Sequence, residues 1–134
     1  MTNRHDKTHE ETYENGLELR KSVLGVEHVN RSLANVSKFS EPIQKFVTEY
    51  CWGEVWTSDA LDRKTRSLLN LAMLTAMNRM HEFGVHVRGA INNGASIEEI
   101  QGVLLQTAVY IGVPAALESF RVAETVLKDM GLDV

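Results

Sequence analysis

Residues 62–77 constrain this chain more than any other stretch. Asp62 opens a run that carries Leu68, Leu69, Leu71, Ala72, Met73, Leu74 and Ala76 with few polar interruptions. The run is far longer than a typical strand of about 5–6 residues. A helix that is apolar nearly all round belongs at the centre of a fold. The rest of the 134-residue chain must therefore supply apolar faces on several sides of it.

The remaining segments have helical punctuation. Thr8 to Leu24 carries Tyr13, Leu17, Val23 and Leu24 among many charges, which predicts a surface helix with one apolar stripe, stopped near Gly25. Val26 to Phe39 lacks a clear period and is expected to be irregular. Ser40-Glu41-Pro42 is a helix start, with a capping serine followed by an acid and a proline in the first turn. Ile43, Phe46, Val47 and Tyr50 continue one face, and Cys51 to Trp56 closes the first half. After a turn at residues 57–60 comes the apolar helix, then one that holds Glu82 and His86 and ends at Asn93-Gly94. Ser96-Ile97-Glu98-Glu99 is a capping box that opens the next, which stops at Gly112. Ala115 to Met130 is the last, ended by Gly131.

No alternating strand of useful length is present. The expectation is an all-α fold, one domain of six to seven helices over residues 10–134, with residues 1–9 as a tail. Tyr110, Ile111, Val113, Leu117 and Phe120 make the second half more apolar than a small monomer exposes, which predicts self-association.

Charge and cysteine content exclude several functions. The net charge of −4 leaves no basic footprint for nucleic acid, so an anionic ligand would need locally placed arginines. The single cysteine, Cys51, permits no intrachain disulfide and no cysteine-rich zinc site, and reads as a small apolar packing residue. Met1 to Glu10 is polar with no apolar leader core, and no run approaches the ~18 apolar residues of a membrane span. A cytoplasmic enzyme or binding protein is expected.

Chemistry centres on Glu82 and His86, four residues apart and so on one helical face. His81 and His86 superficially suggest a zinc-protease motif. That motif needs histidines at i and i+4, whereas these are at i and i+5, about 140° apart around the helix. No metal is expected. A Glu82 carboxylate beside the imidazole would favour protonated His86 and fix its tautomer. Gly84, Gly89 and Ala90 leave room for a ligand. From spacing alone, a solvated ion pair fits these residues as well as a proton-handling site does. Trp52 and Trp56 offer aromatic walls around Glu54, or else core packing or a subunit contact. Arg31, Arg63, Arg66, Arg79 and Arg88 are candidate anion binders; singly, each reads equally as a surface or interface residue. Arg88, two positions past His86, points to another side of its helix.

Taken together, these segments resemble the carboxymuconolactone decarboxylase family. The resemblance runs from Tyr13 to Gly131. It rests on Gly25-Val26-Glu27-His28-Val29-Asn30-Arg31-Ser32-Leu33, Trp52-Gly53-Glu54-Val55-Trp56 and Thr65-Arg66-Ser67-Leu68. It also rests on Glu82-x-x-x-His86-x-Arg88, Asn92-Asn93-Gly94 and Tyr110-x-Gly112-x-Pro114-Ala115. It implies an all-helical fold shared with the alkylhydroperoxidase D proteins and a ring-like homo-oligomer, usually a hexamer. The peroxidase relatives carry Cys-x-x-Cys-x-x-x-His. Laying that histidine on His86 puts Arg79 and Glu82 where the cysteines would be, so the thiol chemistry is missing. Some decarboxylases of the family carry Leu-Arg where this chain has Phe83-Gly84; if that arginine binds substrate, another must replace it here.

The implied activity is cofactor-free decarboxylation of 4-carboxymuconolactone to 3-oxoadipate enol-lactone, in the protocatechuate branch of the β-ketoadipate pathway. The substrate is a small dicarboxylate lactone. CO2 leaves the γ-carbon, and the electron pair delocalises through the double bond onto the lactone carbonyl as a dienolate. The substrate is its own electron sink. The resemblance gives His86 the central role, as hydrogen-bond donor to the lactone carbonyl or proton donor to the dienolate, with Glu82 setting its state or sharing the relay. Arg31, Arg66 and Arg88 are candidates to clamp the retained carboxylate. Trp52 or Trp56 would supply tight, apolar surroundings for the departing one, and His28 is a further candidate for the pocket. The alternatives are a family member acting on another lactone or β-keto acid, a non-thiol remnant of the hydroperoxidases, and a non-catalytic oligomeric binding protein. Acid–base chemistry predicts unchanged activity in Cys51→Ser; a thiol mechanism predicts its loss, and a turnover assay of that variant decides.

Overall fold

The structure is a computed structural model and describes residues 7–134. Among them the chain is all-α, as expected, with seven α-helices, one π-helical segment and no strand. The backbone divides into two compact units, one ending at Leu61 and one over Asp62–Val134.

The first unit contains α1 (His9–Leu24), α2 (Val26–Ala34) and α3 (Glu41–Phe46), which runs on into the π-helical segment Val47–Val55. Of the expected tail, residues 1–6 lie outside the described residues. His9 already belongs to α1, because Thr8 caps it by accepting a hydrogen bond from Glu11 N–H at 3.1 Å. The stripe that α1 buries is also rotated from the expected one. It comprises Thr12, Gly16, Leu19, Arg20 and Val23, with Leu24 beside it, whereas Tyr13 and Leu17 are only half-buried.

Close approach explains that rotation. A Cβ added at Gly16 would lie 2.1 Å from the Thr48 carbonyl oxygen and 2.8 Å from Gly53 Cα. A Cβ at Gly53 would lie 2.4 Å from the Thr12 carbonyl oxygen. Backbone therefore packs on backbone where α1 meets the π-helical segment. The wide turn is closed at its end by Trp56 N–H donating to the Cys51 carbonyl at 3.0 Å, an i→i+5 bond.

The region after Gly25 is not irregular. Gly25 ends α1 at φ 95° and leads directly into α2. The helix eluded periodicity because it buries only Val29. Ser40 is no side-chain cap either. Its hydroxyl accepts from Ser37 N–H at 2.9 Å, and Glu41 N–H donates to the Ser37 carbonyl, so the chain is already winding before α3.

The second unit contains α4 (Arg63–Met77), α5 (Met80–Asn92), α6 (Ile97–Tyr110) and α7 (Val113–Asp129). Its core joins Leu71 of α4, Phe83, Val87 and Ala90 of α5, Ile100 and Leu104 of α6, and Ala123 and Leu127 of α7, with Ala95 between α5 and α6. Each fully buried large side chain here contributes about 1.5–3 kcal/mol. The Ser96–Glu99 capping box forms as expected, with both reciprocal bonds at 3.0 Å. Pro114 sits inside the first turn of α7 rather than before it, where its missing N–H costs nothing.

The apolar helix α4 is less enclosed than expected. It buries Ser67, Leu71 and Thr75, while Leu69, Met73 and Met77 are exposed. Its buried hydroxyls are satisfied: Thr75 Oγ1 donates to the Leu71 carbonyl at 2.7 Å and lies 2.8 Å from Ser119 Oγ of α7.

Two glycines should respond oppositely to alanine. Gly16→Ala forces the backbones apart and should lower stability by about 1–3 kcal/mol. A Cβ at Gly84 meets Val126 and Val122 of α7 at 3.5 and 3.6 Å, ordinary contact distances. Gly84→Ala should therefore stabilise by about 0.5–1 kcal/mol through reduced unfolded-state entropy. Thermal denaturation of both variants checks this pair.

Candidate active site

The second unit carries the candidate residues Glu82 and His86 on α5, which runs beside α4. Asn78 and Arg79 alone separate the two helices. Asn78 takes φ 57°, ψ 42°, the left-handed conformation asparagine tolerates better than most side chains. Arg79 N–H bonds back to the Leu74 carbonyl and Asn78 N–H to that of Thr75, closing a Schellman turn. The far end of α5 closes likewise: Ala95 N–H bonds to the Ala90 carbonyl and Gly94 N–H to that of Ile91, with Gly94 at φ 92° as expected.

Phe83, Val87 and Ala90 fix the rotation of α5 about its axis, all fully buried at i, i+4 and i+7. His86 is half-buried beside Val87, and Glu82, one turn earlier, is exposed. The neighbouring helix contributes a polar ladder. Asn93 Nδ2 donates to Ser67 Oγ at 2.9 Å and to the Arg63 carbonyl at 3.3 Å. Nearer the connection, Asn70 Nδ2 lies 3.4 Å from His86 Nδ1. The two rungs run in opposite directions along the helices, so α4 and α5 are antiparallel. Arg66, half-buried, precedes Asn70 by one helical turn and shares its stripe of α4.

Not every expected feature gathers there. Arg88 is half-buried but about 200° around α5 from His86. Gly84 faces Val122 and Val126 of α7, and Ala90 lies in the core, so neither opens space beside the imidazole. Among the described residues no group of three or more His, Cys, Asp and Glu is arranged to hold a metal ion.

The remaining candidates belong to the first unit. His28 is half-buried and Arg31 exposed on α2. Trp52 is buried in the π-helical segment, and the half-buried Trp56 stacks on it with ring centroids 4.6 Å apart and planes at 26°. The burial of Trp52 agrees with the packing role weighed for it, and Trp56 is the more exposed ring of the stack. Sequence reading missed Arg20. It is buried, and donates to Gln44 Oε1 at 3.1 Å and Thr48 Oγ1 at 3.0 Å. Burial lowers its pKa, partly opposed by Tyr13 and Cys51. It also missed Asn70, whose only sequence signal was a polar residue inside the most apolar helix.

The sequence model of the carboxymuconolactone decarboxylase family matches residues 41–125. The chain belongs to this family. It is 42% identical over 123 residues to the 4-carboxymuconolactone decarboxylase of Acinetobacter baylyi, covering 92% of each chain. It is also 42% identical over 125 residues to a nitrosuccinic acid decarboxylase of Metarhizium robertsii, covering 93% of this chain and 87% of the relative. Both relatives are decarboxylases, and the motifs that carried the family resemblance span both units.

The N-cap of α4 gives folding stability a pH-dependent contribution. Asp62 Oδ1 accepts from Thr65 N–H at 2.7 Å, and hydrogen bonds from Thr65 hold its carboxyl below the ordinary value. A carboxyl depressed on folding adds stability above its unfolded pKa, and that stability is lost as pH falls through the folded one. Asp62→Asn should therefore flatten the acid limb of the stability curve below the usual carboxylate range, as read by denaturation at stepped pH.

Proposed function

We propose that this protein is a 4-carboxymuconolactone decarboxylase, a carboxy-lyase that converts its substrate to 3-oxoadipate enol-lactone and CO2 without a cofactor. The observation that carries the reading is the 42% identity, along 92% of both chains, to a decarboxylase of that substrate. The His86 environment supports it. The ring is half-buried on a helix whose rotation is fixed by three buried side chains, which suits a group that must meet charge at a defined point.

In this mechanism the bond from the γ-carbon to its carboxylate breaks and CO2 departs. The electron pair passes through the ring double bond to the lactone carbonyl oxygen. His86 answers that charge, and a proton is then delivered to carbon. Glu82 tunes or relays. Arg66, on the stripe of α4 next to the seam, is the foremost candidate to hold the retained carboxylate, with Arg31 and Arg88 behind it. A cation on the departing carboxylate would oppose catalysis, because that group loses its charge. Trp56, Trp52 and His28, all in the first unit, stay candidates for substrate contact.

The protein works as a homo-oligomer, a hexamer, in the cytoplasm and in protocatechuate catabolism. Exposed Leu105, Val109 and Tyr110 on α6 support the assembly. An apolar groove of about 360 Å³ lies beside them, lined by Leu68, Leu69 and Ala72 of α4 and by Val103, Tyr110 and Ile111. No helix of the described residues is long and apolar enough to cross a membrane.

A second reading has equal identity behind it: a nitro-substituted succinate as substrate. A nitro group is also an internal electron sink, so the same residues could serve. Purified protein assayed with both compounds, without added metal or cofactor, separates the two. We expect lactone turnover, and a fall of about 10²–10³-fold in kcat for His86→Ala, the loss of one donor to a developing oxyanion. Glu82→Gln should fall less. Near-normal kcat in a correctly assembled His86→Ala would sink the assignment of His86, and turnover of nitrosuccinate alone would replace the substrate.

A further inference from the structure

We infer that Asn70 is a positioning residue, and that it holds His86 as a neutral imidazole with its proton on Nε2. The inference deepens the proposed decarboxylation and rests on His86 acting at the substrate. It begins from one distance: Asn70 Nδ2 stands 3.4 Å from His86 Nδ1. In this orientation of the amide, Asn70 Nδ2 donates and Nδ1 accepts, and a neutral ring with an accepting Nδ1 carries its hydrogen on Nε2. The contact is long, as catalytic hydrogen bonds often are before substrate is bound.

The surrounding structure makes the arrangement persistent. Asn70 lies one position from the fully buried Leu71, and His86 one position from the fully buried Val87. Both side chains are thus launched from helices whose faces are locked. Asn93 bridges back to Ser67 and the Arg63 carbonyl further along the seam, which holds the register between α4 and α5.

The tautomer selects between the two roles open to His86. A neutral Nε2–H is a good hydrogen-bond donor but a poor acid, because losing that proton would leave an imidazolate. It therefore stabilises the dienolate oxygen while CO2 departs, and keeps its own proton. The proton that carbon takes up afterwards comes from solvent, not from His86. Asn70 shares its stripe of α4 with Arg66, so the residue that orients the imidazole sits one turn from the cation assigned to the retained carboxylate.

The test combines nitrogen-15 NMR of the histidine rings with kinetics on the full chain. His86 is assigned by comparison with His86→Gln, at a pH where the ring is neutral. In the wild type, Nδ1 should be pyridine-like and Nε2 pyrrole-like. Asn70→Leu should give a mixed tautomer, and Asn70→Asp should move the proton to Nδ1, because a carboxylate can only accept there. Both variants should lose roughly tenfold in kcat with KM within about twofold, with unchanged circular dichroism. A pyrrole-like Nδ1 in the wild type, or a tautomer indifferent to both substitutions, overturns the proposal. So does normal kcat in both variants. The NMR result does not need a substrate, so it still decides the role of Asn70 if the lactone proves not to be turned over.

Discussion

The antiparallel seam between α4 and α5 is the constraint on which the candidate site depends. Asn78 and Arg79 are all that joins the two helices. So short a connection turns the chain back at once, and it works because Asn78 accepts a left-handed backbone that satisfies the last carbonyls of α4. Leu71 on one helix and Phe83, Val87 and Ala90 on the other then lock the rotation of both. Once the apolar stripes are fixed, the polar stripes beside them have no freedom left. Arg66, Asn70 and His86 are consequences of where the leucine, phenylalanine and valine must go.

The first unit is organised differently. There the determining contact is not a large apolar side chain but the absence of side chains at Gly16 and Gly53. That absence lets α1 and the π-helical segment meet backbone to backbone. The same segment carries the Trp52–Trp56 stack, and π-helical turns occur often at functional sites. Arg20, buried in this unit, is an unusual cation for an interior, and its hydrogen-bond partners among the described residues are the neutral Gln44 and Thr48.

Legibility in the sequence followed the range of the interaction. The Ser96–Glu99 capping box, the Gly94 turn and the long helices of the second unit were readable because their causes lie within four or five residues. The α2 helix was not, because its one buried residue, Val29, gives no period to detect. The stripe of α1 was misread because Thr12 and Gly16 are small and polar or featureless, yet they are the residues that pack. The spacing of Glu82 and His86 was readable, but by itself it fitted a solvated ion pair as well as a proton-handling site. Asn70 was hidden, because nothing local distinguishes a polar residue that caps a ring on another helix from one that merely faces water.

What the sequence by itself determined was the all-α class, most helix ends, the family and the Glu82–His86 spacing, each encoded in local chemistry or in motif order. Tertiary structure alone decided which face of each helix turns inward, and with it the partner of His86. The reason is physical. Helical periodicity places side chains relative to their own axis, but the angle of that axis to its neighbours is set only when buried surfaces from separate segments compete for the same core.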